Sequence, residues 1–168
     1  HVAHVTRFSK KGEPPLLFTS KLSRYSQSHP IRGGVPIIFP WFGPREGFSM
    51  HGFARTAEWT LTEAASVPKG GVSLRFSLND PPEKATWTPF SAIYAVTVTD
   101  SLTLELVITN TSPDQELSFE NCLHTYFCVG DIATASVKGL KGVLYFDKVE
   151  NYAQKTETSD SITIGSEV

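Results

Sequence analysis

The stretch "SAIYAVTVTDSLTLELVITNTS", residues 91–112, sets the fold class. Apolar and polar side chains alternate along both halves of it, which is the pattern of a β-strand with one face on a core. The two alternating runs meet at Asp100-Ser101, a pair that is compatible with a tight turn. The stretch therefore predicts a β-hairpin.

Comparable runs extend from this hairpin towards both ends of the chain. Six more stretches have strand-like composition: "HVTRFS" (4–9), "EWTLTEAAS" (58–66), "GVSLRFSLND" (71–80), "QELSFENCLHTYFCVG" (115–130), "TASVKGLKGVLYFDKV" (134–149) and "SITIGSEV" (161–168). They recur without any helical stripe longer than about two turns, which favours an all-β fold, specifically a large antiparallel β-sandwich. The polar run "ENYAQKTETSDS", residues 150–161, is the best candidate for a loop.

Size and charge narrow the class of protein. The 168 residues fit one domain of ordinary size, so we expect residues 1–168 to form a single β-sandwich domain. The net charge of −2 gives no general attraction to nucleic acid or to acidic membranes. Since no apolar run approaches the roughly 20 residues of a membrane span, we expect no nucleic acid and no membrane among the partners, and a cytoplasmic location.

The two cysteines do not suggest a disulfide. Cys122 and Cys128 lie six residues apart in one predicted strand, an arrangement that does not bring them together in bridging geometry. We therefore predict reduced thiols, in keeping with a cytoplasmic protein. No cysteine or histidine cluster has the spacing of a zinc site, so no metal is expected.

His124 is the first candidate for a functional side chain. In "LSFENCLHTYFCV" the alternation places four apolar side chains on one face, Leu117, Phe119, Leu123 and Phe127. The other face carries Glu120, Cys122, His124, Tyr126 and Cys128. His124 is thus either a ligand-facing side chain or an ordinary hydrogen-bonded surface histidine.

His51 and Arg55 belong to a second segment, "FSMHGFARTAEW". If this segment is extended, the two side chains share a face and lie about 13 Å apart at roughly 3.3 Å per residue. Gly52 between them permits a close approach of another backbone segment or a bulge. The alternative is an edge-strand histidine beside a solvated arginine.

Arg32 opens a stiff apolar segment, "IRGGVPIIFPWFGP", residues 31–44. Guanidinium groups recognise phosphate or carboxylate through a planar fork. The two glycines that follow Arg32 lack side chains, so a ligand could approach the backbone there. A surface arginine beside a turn is the other interpretation.

Taken together, these segments resemble a known family. "IRGGVPIIFPWFGP", "HGFARTAEW", "LELVITNTS", "LHTYFCVGDI" and "VKGLKGVLYFDK" occur in the same order and with similar spacing as in the glucose-6-phosphate 1-epimerases, or hexose-6-phosphate mutarotases. These are members of the aldose 1-epimerase, or galactose mutarotase-like, superfamily. The resemblance covers almost the whole chain and implies the large twisted β-sandwich of that superfamily, with a sugar bound on its concave sheet.

The resemblance also implies roles for four residues. Arg32 and Arg55 would bind the sugar phosphate. His51 would contact sugar hydroxyls or the ring oxygen, and His124 would be the general acid that protonates that oxygen. The partner would be a small-molecule sugar phosphate whose α and β anomers are interconverted, an isomerase reaction that needs no redox change and no cofactor.

The chain departs from the family pattern in three respects. Relatives often carry glutamine in place of Trp41 and of Met50, so both residues should make the cleft more apolar. The general base of the family is a glutamate in the later part of a longer chain, and no residue here corresponds to it. We therefore expect a fragment, apparently truncated at its C-terminus, whose open strand edge favours a homodimer.

Two other kinds of function fit the same residues. One is a β-sandwich module that binds a sugar phosphate without turning it over, since the base is missing. The other is a structural or regulatory domain whose cleft residues are relics. Anomer exchange and binding, measured side by side, distinguish all three.

Overall fold

Strands dominate the structure, a computed structural model that describes residues 2–26, 29–68 and 70–164. Within these ranges there are two short 3-10 helices, Pro82–Thr86 and Ile132–Thr134. The strands there are β1 Ile37–Ile38, β2 Trp59–Val67, β3 Gly71–Leu78, β4 Phe90–Val98, β5 Leu102–Asn110, β6 Cys122–Leu123, β7 Ser136–Lys138, β8 Leu144–Asp147, β9 Ala153–Thr156 and β10 Ser161–Thr163. Every strand pair is antiparallel, which confirms the predicted all-β antiparallel class.

The hairpin predicted from residues 91–112 lies in the largest sheet. Strands β2, β3, β4 and β5 follow one another in space as they do in sequence. The turn between β4 and β5 is closed by the pair Val98–Leu102, and the N–H of Thr99 donates to the carbonyl of Ser101. β2 and β5 are the outer strands of this sheet, and dimerisation through an open strand edge stays a prediction.

One face of this sheet is buried against the segment that follows Arg32. Residues 33–41 are all buried, and this segment carries β1. Phe39 packs edge-on against Phe90 at 5.0 Å between ring centroids, while Tyr94 beneath the segment is fully buried. The apolar stretch thus belongs to the core, and its burial stabilises the sheet by the transfer of apolar area from water.

Gly33 and Gly34 serve packing instead of ligand access, which corrects the expectation from the sequence. A Cβ on Gly33 would lie 2.3 Å from the carbonyl oxygen of Phe18, and one on Gly34 would lie 2.3 Å from that of Val5. Both glycines also have positive φ, 118° and 63°. Neighbouring backbone therefore occupies the space that the missing side chains leave, and residue 32 is held at the end of a tightly packed strand.

Residues 129–168 form a separate set of contacts from residues 1–128. In the former, β7 pairs with β10 and β8 pairs with β9. The loop predicted for residues 150–161 is wrong, because β9 lies within it and Lys155 binds the carboxylates of Asp147 and Glu150. The polar composition of this stretch favours a loop, but its charged side chains stabilise a hairpin by ion pairing. The single domain over residues 1–168 stays a prediction.

Three further features bear on the sequence expectations. No helix in the described ranges is long and apolar enough to cross a membrane. Cys122 and Cys128 are both free thiols in this structure. Across the same ranges, no group of three or more His, Cys, Asp or Glu side chains could hold a metal ion.

A partly buried histidine, His4, beside the Arg32 segment should make stability depend on pH. The Nε2 of His4 donates to the carbonyl of Gly33 at 2.8 Å, and burial lowers the pKa of His4 below its usual 6.5, although that bond partly opposes the shift. The unfolded chain therefore binds a proton at His4 more readily than the folded chain does. The contribution of neutral His4 to the free energy of unfolding is thus complete above about pH 6.5 and is lost as the pH falls towards the folded pKa.

We expect the free energy of unfolding to decrease less between pH 7.5 and 5 in His4→Gln than in the wild type. Urea titrations at several pH values measure this difference. Parallel curves for His4→Gln and the wild type would contradict the assignment.

Candidate functional site

The strand that carries His124 is held between two neighbouring segments. The N–H groups of His124 and Tyr126 donate to the carbonyls of Pro36 and Gly34, and the carbonyl of Tyr126 accepts from Phe18. This pairing extends the ladder that β1 and β6 begin. Because alternate side chains of a strand share a face, the rings of His124 and Tyr126 come together, 5.0 Å apart between centroids.

The predicted division of faces along this strand is right with one exception. Leu117 and Leu123 pack against the core, and Phe119 contacts the ring of Phe39. Phe127, which the alternation assigns to the same face, is 62% exposed and lines an open groove beside Leu17. The strand passes beyond the edge of the core at this point. The alternation of residue types alone therefore overestimates the burial of Phe127.

His51 lies in a turn, not in the extended segment predicted for it. Residues 51–57 are turns and bends apart from one isolated bridge at Gly52, and His51 itself has φ of 66°. Gly52 does permit the close approach that was predicted, since a Cβ there would lie 2.0 Å from the carbonyl oxygen of Phe39. The ring of His51 lies next to that of His124 on the neighbouring strand.

Two imidazoles thereby face one aromatic ring. The ring centroids of His51 and His124 are 6.1 Å apart. Phe42 packs edge-on against both, at 4.7 Å from His51 and 6.3 Å from His124. His51 is further held by Gly43, whose N–H donates to its Nδ1 at 2.9 Å and whose carbonyl accepts from its backbone N–H at 2.9 Å.

The two arginines, Arg32 and Arg55, interact electrostatically beside Tyr126. The guanidinium of Arg55 is half-buried and donates through Nη2 to the carbonyl of Met50, while its buried Nε finds no acceptor among the described residues. Burial lowers the pKa of Arg55, the nearby positive charge of Arg32 lowers it further, and Tyr126 partly offsets both. Arg32, Arg55 and Tyr126 are therefore close enough to interact electrostatically, and Tyr126 links this pair to His124.

Arg32 is exposed, and its backbone is fixed. The hydroxyl of Ser23 accepts from the N–H of Arg32 at 3.1 Å and donates to its carbonyl at 2.9 Å. Only the side chain is left to reorient towards a ligand. The like charges of Arg32 and Arg55 interact, and the guanidinium of Arg55 is partly desolvated, so the pair is a candidate for binding an anion in a chain whose net charge is −2.

Trp41 does not line this site, which corrects the expectation that it makes the cleft apolar. Its side chain is only 5% exposed, stacks on Trp87 at 5.7 Å between centroids and donates through Nε1 to the carbonyl of Ser49. Arg45 lies over both indole rings. Met50, by contrast, is 48% exposed and provides the carbonyl that binds Arg55.

Glu120 is a member of the site to which the sequence assigned no role. Its carboxylate accepts the N–H of Phe42 at 2.8 Å, and its own N–H donates to the carbonyl of Pro40 at 3.0 Å. The only sequence signal was that Glu120 shares a face of its strand with His124. The contact with residue 42 depends on a turn that the alternation does not describe.

This arrangement suits a ligand that is anionic at one end and rich in hydroxyl groups at the other. The guanidinium pair offers a fork of donors for an anion, and the imidazoles and the phenol offer hydrogen bonds and proton transfer. An imidazole is the side chain whose ordinary pKa lies nearest neutrality, so it can give or take a proton under physiological conditions.

Comparison with known proteins shows the family. Residues 3–168 match the sequence profile of the family described as "Aldose 1-epimerase". A protein of Escherichia coli (strain K12) named "Putative glucose-6-phosphate 1-epimerase" is 36% identical over 162 residues, which are 95% of this chain and 53% of that protein. One of the same name from Cenchrus ciliaris is 31% identical over 173 residues, 98% of this chain and 53% of its own length.

A solved structure shows the same fold. The crystal structure of "a putative mutarotase (YeaD)" from Salmonella typhimurium superposes with a TM-score of 0.83 at 32% identity, over 96% of this chain and 54% of that one. The chain thus spans about half the length of the relatives that it matches, and its strands are part of a galactose mutarotase-like β-sandwich. This protein belongs to the aldose 1-epimerase family.

Proposed function

We propose that this chain carries the sugar-phosphate anchor and the general acid of a hexose 6-phosphate mutarotase. The observation that carries the proposal is the half-buried guanidinium of Arg55, which interacts with Arg32 on one side and, through Tyr126, adjoins His124 on the other. The names of the curated relatives support glucose 6-phosphate as the hexose phosphate.

Arg32 and Arg55 bind the phosphoryl group in this proposal. A phosphate dianion supplies the acceptors that the Arg55 guanidinium lacks at Nε, and it offsets the repulsion between the two cations. Binding energy from this remote group orients the sugar, so that the reacting end lies against the imidazoles.

His124 donates a proton to the ring oxygen of the sugar. As that proton arrives, a base removes the proton of the C1 hydroxyl, the bond between C1 and the ring oxygen breaks, and an open-chain aldehyde forms. Rotation about the C1–C2 bond followed by reversal of these proton transfers closes the ring as the other anomer. His51 contacts a hydroxyl or the ring oxygen, and none of the residues described here is assigned as the base.

One experiment separates this function from its alternatives. Anomer exchange of glucose 6-phosphate followed by two-dimensional NMR exchange, with calorimetric binding in parallel, should show exchange above the uncatalysed rate and saturable binding. Binding without exchange would favour the non-catalytic sugar-phosphate module instead. Neither binding nor exchange would leave the cleft residues as relics and overturn the proposal.

A further inference from the structure

The loop at Phe42 and Gly43 connects the carboxylate of Glu120 to the imidazole of His51. We propose that Glu120 is a positioning residue that, through this loop, holds His51 as the neutral imidazole with its proton on Nε2. The consequence for the ligand rests on the proposed function, whereas the tautomer itself does not.

The protonation state of His51 follows from its partner. A backbone N–H can only donate, so the 2.9 Å bond from Gly43 requires that Nδ1 carry a lone pair. A neutral imidazole with an unprotonated Nδ1 has its proton on Nε2. If His51 were charged, its Nδ1 would also carry a proton and could no longer accept from the N–H of Gly43. This hydrogen bond would therefore break. The reciprocal bond from the N–H of His51 to the carbonyl of Gly43 holds the two residues in register.

Glu120 fixes the residue that precedes Gly43. Its carboxylate accepts a charge-assisted hydrogen bond from the N–H of Phe42 at 2.8 Å, and its backbone N–H donates to the carbonyl of Pro40. Packing alone holds this loop weakly, because Phe42 is 52% exposed. The orientation of the Gly43 N–H, and with it the acceptor state of Nδ1, therefore depends on the carboxylate.

A neutral His51 gives the two imidazoles, His51 and His124, different roles. Their centroids are 6.1 Å apart, so two positive charges would repel one another there. With His51 held neutral, His124 remains the imidazole that carries the mobile proton. His51 is then a binding group and not a second acid.

Nitrogen-15 NMR of the histidine side chains tests the tautomer without any ligand. In wild type near pH 7.5, we expect the His51 signals to show a pyridine-type Nδ1 and a pyrrole-type Nε2, with His51→Asn supplying the assignment. Glu120→Ala should give a mixture of tautomers, and Glu120→Gln, whose amide oxygen still accepts from Phe42, should restore the wild-type pattern. Glu116→Ala, at an exposed glutamate four residues earlier, is the matched control.

Ligand binding provides the second readout. A His51 ring that is no longer held in one orientation should weaken glucose 6-phosphate binding about 2- to 10-fold in Glu120→Ala, and binding should stay near wild type in Glu120→Gln. A wild-type His51 that is protonated on Nδ1, or an unchanged tautomer in a folded Glu120→Ala, would overturn the inference. Failure of the proposed function would instead appear as absent ligand binding beside the expected wild-type tautomer.

Discussion

Replacing His124 with asparagine should reduce anomer exchange of glucose 6-phosphate by about 10²- to 10⁴-fold, the usual contribution of a positioned general acid. Asparagine can still donate a hydrogen bond, but it cannot transfer a proton to the ring oxygen. In the proposed function Arg32 and Arg55, not His124, bind the phosphate, so the dissociation constant of the substrate should change much less than the rate. NMR exchange and calorimetry on the same samples measure both quantities.

Cys128→Ser is the matched control for this loss. Cys128 lies on the same strand and is exposed, so its substitution should leave exchange unaltered. If His124→Asn retained exchange within a few-fold of wild type while folding normally, His124 would not be the acid.

Replacing Arg55 with methionine should weaken glucose 6-phosphate binding by about 2–3 kcal/mol, which is about 30- to 150-fold in Kd. The guanidinium is partly desolvated, so its bonds to a phosphate are screened less by water and salt than those of an exposed side chain. Arg32→Met should cost less, about 10-fold, because Arg32 is exposed. Binding of glucose, which lacks the phosphate, should respond weakly to either change.

The comparison of phosphorylated and free sugar makes this result specific. Arg75→Met removes the same charge from β3, where Arg75 faces Glu63, and should leave the preference for the phosphorylated sugar intact. Equal losses for glucose and glucose 6-phosphate in Arg55→Met would mean that Arg55 supports the fold of the site and does not bind the phosphate.

The local alternation of apolar and polar residues was enough to predict the strands of the large sheet. β2 to β5 match the alternating runs, with only Val67 and Phe90 lying one residue outside them, and the turn between β4 and β5 contains the predicted Asp100-Ser101 pair. Contacts between sequence neighbours determine such a meander, so each hairpin can be inferred from its own residues.

Features that depend on distant partners could not be predicted in this way. The glycines at 33 and 34 were interpreted as ligand access because nothing in the local sequence shows that Val5 and Phe18 pass beside them. Both interpretations of His51 from the sequence assume an extended segment, because a positive φ next to Gly52 leaves no mark on the alternation. The role of Glu120 depends on a bond spanning 78 residues, to Phe42.

The candidate site combines features that depend on local alternation with features that depend on distant partners. Alternation placed His124 and Tyr126 on one face, which their ring contact agrees with. The proximity of Arg32 to Arg55 came only from the resemblance, since residues 32 and 55 reach the site from separate turns. Motifs contain long-range information that composition and period do not.

A crystal structure of the chain with bound glucose 6-phosphate tests the central claim most directly. The account predicts phosphoryl oxygens within hydrogen-bonding distance of the guanidinium groups of Arg32 and Arg55, and a ring nitrogen of His124 against the pyranose oxygen. A phosphoryl group bound away from both arginines, or an imidazole of His124 turned from the sugar ring, would contradict it.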